Sequence, residues 1–333
     1  MVDDDAFIIR LIKEILPPES YIVTGTSNGH AAMESLSKGN FDVLLVDKQL
    51  PDMNGDDGCR HVRGTISQIL PIIVVTGSDQ AEELRSSLEA GANDFVRKPF
   101  SPMGLHARVS ATARTKRQTD QLESVEALFF AIGRLVEARD SNTGDHCSRL
   151  SRIGVAFGKY LGLDETALVA LRRAGVLHDI GKLGIPDAIL LKRGPLTAEE
   201  RKVMEQHTVI GDKLCMTLKS LHATAPIVRH HHERWNGNGY PDRLAGQDIP
   251  LLARVFQIVD IYDALASSRP YKSAFDTEPI IRGLREETSK GWLDSFLVKR
   301  FMEFIENHDI SALTPSDALD ADEDLLLGLP ANN

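Results

Sequence analysis

The hydrophobic pattern of the chain changes its period once, and this change predicts two domains of different fold class. Over residues 1–117, short apolar runs alternate with amphipathic stretches of helical period. Such runs are typical of buried parallel strands, and their alternation with helices predicts a doubly wound α/β sheet. Beyond residue 117 the period is helical. We therefore expect the second domain to be an all-α bundle.

Four apolar runs of the first domain are predicted to be strands, with two helices between them. The strands are Tyr21–Val23, Asp42–Asp47, Ile72–Thr76 and Asp94–Arg97, and the helices are Gly29–Lys38 and Ala81–Ala90. Ligands of open parallel sheets bind at the carboxyl ends of the strands. Asp47, Thr76 and Lys98 follow strand ends, so we expect them to share one site.

Apolar residues at helical spacing continue through residues 105–139, which predicts one long helix that joins the domains. We assign residues 118–139 to a helical linker, residues 125–314 to the second domain and residues 315–333 to an acidic tail. The linker is expected to act either as a semi-rigid rod or as the coil of a homodimer. A capping box, Thr197 with Glu200, predicts a helix from there to Thr208.

Charge and hydropathy exclude several classes of partner. The net charge of −10 argues against broad DNA binding, because a phosphate backbone requires a basic surface. No apolar run reaches the roughly 18 residues of a membrane span, and the N-terminus is acidic where a secretory signal would be basic. We expect a cytoplasmic protein that binds neither DNA nor membrane.

Histidine is concentrated in the second domain, where seven of the eleven lie between His146 and His232. A single histidine is more often an ordinary core or surface residue, but this number among carboxylates indicates metal. The candidate ligands are His146, His178, Asp179, His207, His231, His232 and Asp260. Seven donors are too many for one four-coordinate zinc and suit two ions that share a bridging carboxylate. Iron, manganese, zinc and nickel all accept such donors.

Four sequence blocks of this domain resemble the HD-GYP family of the HD superfamily of metal phosphohydrolases. The blocks are EARDSNTGDH at 137–146, LHDIGK at 177–182, HHERWNGNGYP at 231–241 and DIYDALASSRPYK at 260–272. The resemblance implies hydrolysis of cyclic di-GMP to linear pGpG, with GMP as the product of a second cut. It implies two divalent metal ions, for which we prefer iron over manganese, nickel and zinc.

The resemblance also assigns roles to single positions. Asp179 takes the place of the carboxylate that bridges the two ions, and Asp179 and Lys182 are the catalytic candidates. The positions that would line the cyclic di-GMP site are Lys182, Tyr240, Asp263, Arg269 and Lys272. The three cations among them would supply positive charge that the acidic chain otherwise lacks.

Two positions depart from the family pattern. Asn142 stands where some members have a glutamate that recruits a third metal, which favours two ions here. Asn236 stands where aspartate is usual, and this change concerns loop geometry or substrate contacts rather than the ligands. Two alternatives therefore stay open. One is a non-catalytic effector that binds cyclic di-GMP and acts through protein partners, and the other is a hydrolase of another cyclic dinucleotide.

The first domain has an acidic run at 2–5, Asp47, the segment PDMNG at 51–55, Thr76 and the segment KPF at 98–100. With these residues it resembles, over most of its length, the receiver domain of response regulators. The resemblance implies that Asp47 is the phosphoacceptor for a cognate histidine kinase. The positions that match the magnesium and switch residues are Asp3, Asp4, Thr76 and Lys98. Converging carboxylates with oxygen donors suit magnesium. Only Met1 and Val2 precede the acidic pair, so we expect the first strand to be nearly absent.

Overall fold

The computed structural model describes residues 1–67, 69–140, 146–267, 278–308 and 310. The chain divides into two compact units between Ser124 and Val125, inside the predicted linker. The first unit has a parallel sheet and the second is helical, as the sequence predicts. Asn142, Arg269, Lys272 and the tail at 315–333 lie outside the described residues.

The sheet of the first unit contains three parallel strands, in the order β1 (Leu44–Asp47), β2 (Ile72–Thr76) and β3 (Asp94–Arg97). Val2 extends the sheet by single bridges to Val46 and Thr26, so the first strand is reduced to one residue, as expected. The strand predicted at Tyr21–Val23 is wrong, and the side chain of Ile22 is 98% exposed. A first strand of one residue gives the segment at 21–26 a single bridge, between Val2 and Thr26.

Four α-helices of the described residues accompany this sheet: α1 (Ala6–Ile15), α2 (Gly29–Lys38), α3 (Gly55–His61) and α4 (Ala81–Glu89). Asp5, Asn28 and Asn54 begin three of them by accepting backbone N–H bonds through their side chains. Alternate strand residues point to opposite faces of the sheet. Val46 and Val74 accordingly pack in one apolar cluster, while Leu45, Ile73 and Val75 pack in another. Helices cover both faces, which makes the sheet doubly wound.

A helix of 39 residues, α5 (Pro102–Asp140), runs through the division between the units, as the sequence predicts. Its first part contributes Leu105 and Val109 to an apolar cluster of the first unit. Its last part contributes Phe130 to an apolar cluster of the second unit. The helix therefore has a buried segment in each unit.

The described part of the second unit contains eight further α-helices: α6 (His146–Tyr160), α7 (Glu165–Leu177), α8 (Asp187–Leu190), α9 (Ala198–Cys215), α10 (Ala225–His230), α11 (Leu251–Ser267), α12 (Glu278–Ser289) and α13 (Ser295–Asn307). The capping box at Thr197 and Glu200 is present, but α9 continues beyond the predicted end at Thr208. The core of this unit contains buried aromatic rings, among them Phe157, Phe256 and Phe301. None of the described helices combines the length and the apolar character that a bilayer crossing requires.

Candidate metal centre and receiver site

The seven predicted metal ligands come together in the second unit, although they lie on separate elements. His146 begins α6, His178 and Asp179 follow α7, His207 lies on α9, His231 and His232 follow α10, and Asp260 lies on α11. Their donor atoms form two groups, each with all atoms within 4.8 Å of one another. The first group is Asp179, His207, His231 and His232, and the second is His146, His178 and Asp260.

Asp179 lies between these two groups. Its Oδ1 is 3.3 Å from Nε2 of His207 and 4.0 Å from Nε2 of His231, both of the first group. Its Oδ2 is 3.3 Å from Nε2 of His178, which belongs to the second group. In the second group, Nε2 of His146 is 3.7 Å from Oδ1 of Asp260. One carboxylate therefore presents an oxygen to each set of imidazoles.

Hydrogen bonds at the opposite side of the rings fix which nitrogen can bind an ion. Nδ1 of His207 bonds to the carbonyl oxygen of Met204 at 2.8 Å, and Nδ1 of His231 bonds to that of Val228 at 2.9 Å. A carbonyl oxygen only accepts, so both Nδ1 atoms carry the proton. Each Nε2 then keeps a free lone pair directed toward Asp179.

Burial leaves these lone pairs without a protein partner. Among the described residues, the buried Nε2 atoms of His207 and His231 and the buried Nδ1 of His178 form no hydrogen bond. A buried polar atom without a partner is costly, and native structures rarely keep one without a ligand or a water. The donor set, its convergence and the two unpartnered Nε2 atoms fit divalent cations.

The pKa shifts point the same way. Burial lowers the pKa of His207, holds the pKa of His231 well below its usual range and takes the pKa of His232 to about 3, so these rings are neutral and able to bind a cation. Burial would lower the pKa of His178, but the Asp179 carboxylate raises it to about 9. His178 and Lys182 in turn hold the pKa of Asp179 well below its usual range, against the effect of burial. A cation bound beside Asp179 would replace the proton of His178.

Lys182 and Tyr240 border the metal groups. Nζ of Lys182 is 2.8 Å from Oδ2 of Asp179, and the lysine lies one turn after that aspartate. The ring of Tyr240 lies 4.9 Å from the ring of His232, centroid to centroid. Both residues are thus placed where they can contact a ligand of the centre. Their assignment to the substrate stays a prediction, as does that of Arg269 and Lys272.

Asp263 occupies a different position from the one expected of a residue that lines a substrate site. Only 2% of it is exposed, and its Oδ2 lies 2.6 Å from Nδ1 of His146. Arg149 donates to the same carboxylate through Nε and Nη2, at 2.6 and 2.9 Å. Arg149 was not among the predicted site residues, although its position one helical turn after His146 places both on one face of α6.

Two close backbone approaches hold the ligands in place. A Cβ atom at Gly181 would lie 1.8 Å from the carbonyl oxygen of His207 and 2.5 Å from the backbone nitrogen of Gly211. A Cβ atom at Gly175 would lie 2.6 Å from the backbone nitrogen of Ser151. Glycine alone allows the segment with His178 and Asp179 to pack this closely on α9 and α6.

A buried carboxylate shapes the loop that carries Tyr240. Glu233 is fully buried and accepts backbone N–H bonds from Asp242 at 2.7 Å and Leu244 at 3.1 Å. Asn236 accepts from the backbone of Asn238 and donates its amide to the carbonyl oxygen of Lys290 at 3.1 Å. An aspartate could not make that last bond, so the departure at Asn236 is accommodated within the loop.

The receiver residues also converge, at the carboxyl ends of the strands. Nζ of Lys98 donates to Asp3 at 2.8 Å and to Asp47 at 2.7 Å, and its backbone nitrogen donates to the carbonyl oxygen of Thr76. Asp3, Asp4 and Asp47 offer carboxylate oxygens within 4.8 Å of one another. Burial would lower the pKa of Lys98, but the carboxylates of Asp3 and Asp47 raise it. The arrangement concentrates negative charge around one lysine.

Each of the two units matches a known family. The family described as response regulator receiver domain matches residues 1–110, and the family described as HD domain matches residues 131–297. The chain is 35% identical over 266 residues to the cyclic di-GMP phosphodiesterase response regulator RpfG of Xanthomonas campestris, which covers 73% of this chain and 70% of that protein.

Two further relatives differ in the substrate that their names give. The chain is 32% identical over 318 residues to a cyclic di-GMP phosphodiesterase of Thermotoga maritima, covering 87% of this chain and 86% of that protein. It is also 35% identical over 191 residues to the 3′3′-cGAMP-specific phosphodiesterase 2 of Vibrio cholerae, covering 56% of this chain and 37% of that protein. The similarity therefore includes relatives with two different named substrates.

Proposed function

The chain belongs to the HD domain family, joined to a response regulator receiver domain, and we propose that it hydrolyses cyclic di-GMP to linear pGpG, with GMP as the product of a second cut. The observation that carries the proposal is the position of Asp179, with one carboxylate oxygen facing each group of imidazoles. The relatives matched over most of their length are named cyclic di-GMP phosphodiesterases.

The donor groups would hold two divalent ions, iron by preference, with manganese, nickel or zinc as alternatives. When bound, such ions lower the pKa of a water and offset negative charge on the phosphoryl oxygens. His207, His231 and His232 would hold one ion and His146, His178 and Asp260 the other, with Asp179 shared between them. The fixed tautomers of His207 and His231 keep their lone pairs available without rearrangement.

Lys182 would act on the scissile phosphate. Its ammonium already lies beside Asp179, and its three donors allow it to contact a phosphate oxygen or to protonate the departing 3′ oxygen. Tyr240, beside His232, would contact the dinucleotide, together with Arg269 and Lys272. An arginine can bind a phosphate through two parallel hydrogen bonds, which suits a ligand with two phosphodiesters.

A turnover assay with purified, metal-loaded protein tests the proposal. Wild-type protein should convert cyclic di-GMP to pGpG, and Asp179→Ala should abolish turnover and reduce the metal content. Asp248→Ala removes an exposed aspartate of the same unit and serves as the matched control. Metal-loaded wild-type protein that binds cyclic di-GMP without turning it over would support a non-catalytic effector acting through protein partners.

A second substrate deserves a direct comparison, because one relative is named for 3′3′-cGAMP. The two dinucleotides differ in one base, so discrimination must come from hydrogen bonds to that base. We favour cyclic di-GMP because the relatives named for it match both units, whereas the relative named for 3′3′-cGAMP covers only 56% of the chain. Measurement of kcat/KM for both substrates decides between them, and a higher value for 3′3′-cGAMP would reverse our assignment.

We further propose that a histidine kinase regulates the enzyme by phosphorylating Asp47. Asp3 and Asp4 would hold magnesium with Asp47, because three converging carboxylates offer the oxygen donors that magnesium prefers. Thr76 and Lys98 would contact the phosphoryl oxygens. Asp47→Asn should abolish the response of turnover to a small phosphoryl donor while basal turnover persists. An identical response in wild type and variant would refute this regulation.

The linker helix offers a surface for a second copy of the chain. Leu122, Val125, Leu128 and Leu135 on α5 are exposed by 39–66%. Leu128 and Leu135 are seven residues apart, which is the spacing of a two-stranded coil. We propose a homodimer through this stripe. Sedimentation of wild type against a variant with Leu128 and Leu135 replaced by glutamine tests it, and an unchanged mass would refute it.

A further inference from the structure

Arg149 and Asp263 form a hydrogen-bonded pair directly behind one of the proposed metal ligands. Oδ2 of Asp263 lies 2.6 Å from Nδ1 of His146, while Nε2 of the same ring faces Asp260 at 3.7 Å. Arg149 reaches both oxygens of Asp263. The His146 ring thus lies between Asp260, a candidate metal ligand, and the buried carboxylate of Asp263, which is itself bound by the guanidinium of Arg149.

The same spacing of residues on two helices produces this arrangement. His146 and Arg149 are one turn apart on α6, and Asp260 and Asp263 are one turn apart on α11. Two facing helices therefore bring a ligand against a ligand and, one turn on, an arginine against a carboxylate. The chain separation of 117 residues between His146 and Asp263 shows that the contact depends on the packing of the two helices.

We propose that Asp263 and Arg149 are positioning residues for the metal centre, in that Asp263 orients the His146 ring and Arg149 fixes Asp263. The inference rests on the proposed function. It replaces the substrate-lining role expected for Asp263, because the carboxylate is 2% exposed and both of its oxygens already accept bonds from protein donors.

Asp263 determines both the orientation and the tautomer of the His146 ring. A carboxylate that accepts from Nδ1–H leaves the lone pair on Nε2, where the ion must bind, and fixes the ring plane. Arg149 binds in the planar, two-pronged geometry that prevents the carboxylate from rotating. Loss of such a partner of a metal-binding histidine weakens metal affinity by about 10- to 100-fold.

Metal affinity tests the inference without reference to turnover. The full-length protein is titrated with Mn²⁺ in competition with a chelator, and the spin coupling of the Mn²⁺ pair is followed by electron paramagnetic resonance. Wild-type protein should bind two ions. Asp263→Asn keeps the shape but cannot accept from both His146 and Arg149, so one ion should bind about 10- to 100-fold more weakly and the coupled signal should decrease.

Two substitutions at Arg149 should weaken metal binding to different degrees. Arg149→Met removes both donors and should weaken the same ion as Asp263→Asn does. Arg149→Lys keeps the charge but loses the fork, and it should fall between wild type and Arg149→Met. The matched control is Asp294→Asn, which removes the charge of a similarly buried carboxylate that pairs with Arg254 and caps α13 rather than contacting a candidate metal ligand. This variant should bind two ions with wild-type affinity.

The outcomes separate this inference from the proposed function. Wild-type affinity for two ions in Asp263→Asn and in both Arg149 variants would overturn the positioning role. The same affinity with a raised KM would assign Asp263 to the substrate instead. Wild-type protein that binds no ion would overturn the proposed function as well. Weakening of one ion in Asp263→Asn and Arg149→Met, with thermal stability matched to Asp294→Asn, would establish the role.

Discussion

Replacement of Gly181 by alanine should damage the metal centre without touching any ligand. The added Cβ would lie 1.8 Å from the carbonyl oxygen of His207 and 2.5 Å from the backbone nitrogen of Gly211. Carbon atoms need at least about 3.0 Å from such an oxygen, so the segment must retreat from α9 by about 1.2 Å. Because both opposing atoms are backbone, no side-chain rotation can relieve the contact.

That retreat moves Asp179 away from His207, whose Nε2 lies 3.3 Å from Oδ1 of Asp179. Overpacking costs about 1–3 kcal/mol, and a rigid opponent places Gly181→Ala near the upper end. At about 2–4 °C per kcal/mol, the melting temperature should fall by roughly 6–12 °C. A displacement of about 1 Å in a catalytic constellation costs on the order of 100-fold in rate, so turnover should fall by at least that factor.

Two alanine variants control for this experiment. Gly194→Ala adds a methyl group with nothing within 4 Å and should behave as wild type. Gly158→Ala meets a side-chain atom of Leu168 at 2.7 Å, and this atom can move. It should lower stability without changing affinity for metal. Chelator competition and differential scanning calorimetry provide the measurements. Wild-type metal affinity in Gly181→Ala would refute the argument that this contact sets the distance between the two ligand segments.

Three further predictions concern single groups. Lys182→Gln should lower kcat by about 10²- to 10⁴-fold, because it removes the proposed proton donor. Both ions should stay bound, because the lysine competes with cations for Asp179. Product chromatography beside metal analysis checks this, and an unchanged kcat would exclude Lys182 from catalysis. Thr197→Ala should cost about 1 kcal/mol in urea unfolding with unchanged kcat, because it removes the capping box of α9, whereas unchanged stability would contradict that assignment. The pKa of His178 is raised to about 9, so its proton must leave when an ion binds, and metal affinity should rise about tenfold per pH unit up to that value. Affinity that is flat between about pH 6 and 8 would show that this proton is absent.

Much of the fold could be predicted from the sequence because its signals are local. The strands Ile72–Thr76 and Asp94–Arg97 and the helix Gly29–Lys38 have the predicted bounds. The prediction failed at Tyr21–Val23. This apolar triplet has the pattern of a strand, but the first strand, with which it would pair, consists of the single residue Val2. Strand formation requires a hydrogen-bonding partner, which no local pattern reveals.

By itself, the sequence determined which chemical groups the second unit has available. The number and types of its histidines and carboxylates predicted a centre for two ions, and the structure brings all seven together. Only the tertiary structure decided what each group faces. It placed Asp179 between two sets of imidazoles, turned Asp263 toward His146 across 117 residues of chain, and added Arg149 behind it. Distances of this kind depend on how helices pack, and here close packing depends on Gly181, whose role is visible only once α9 lies against it.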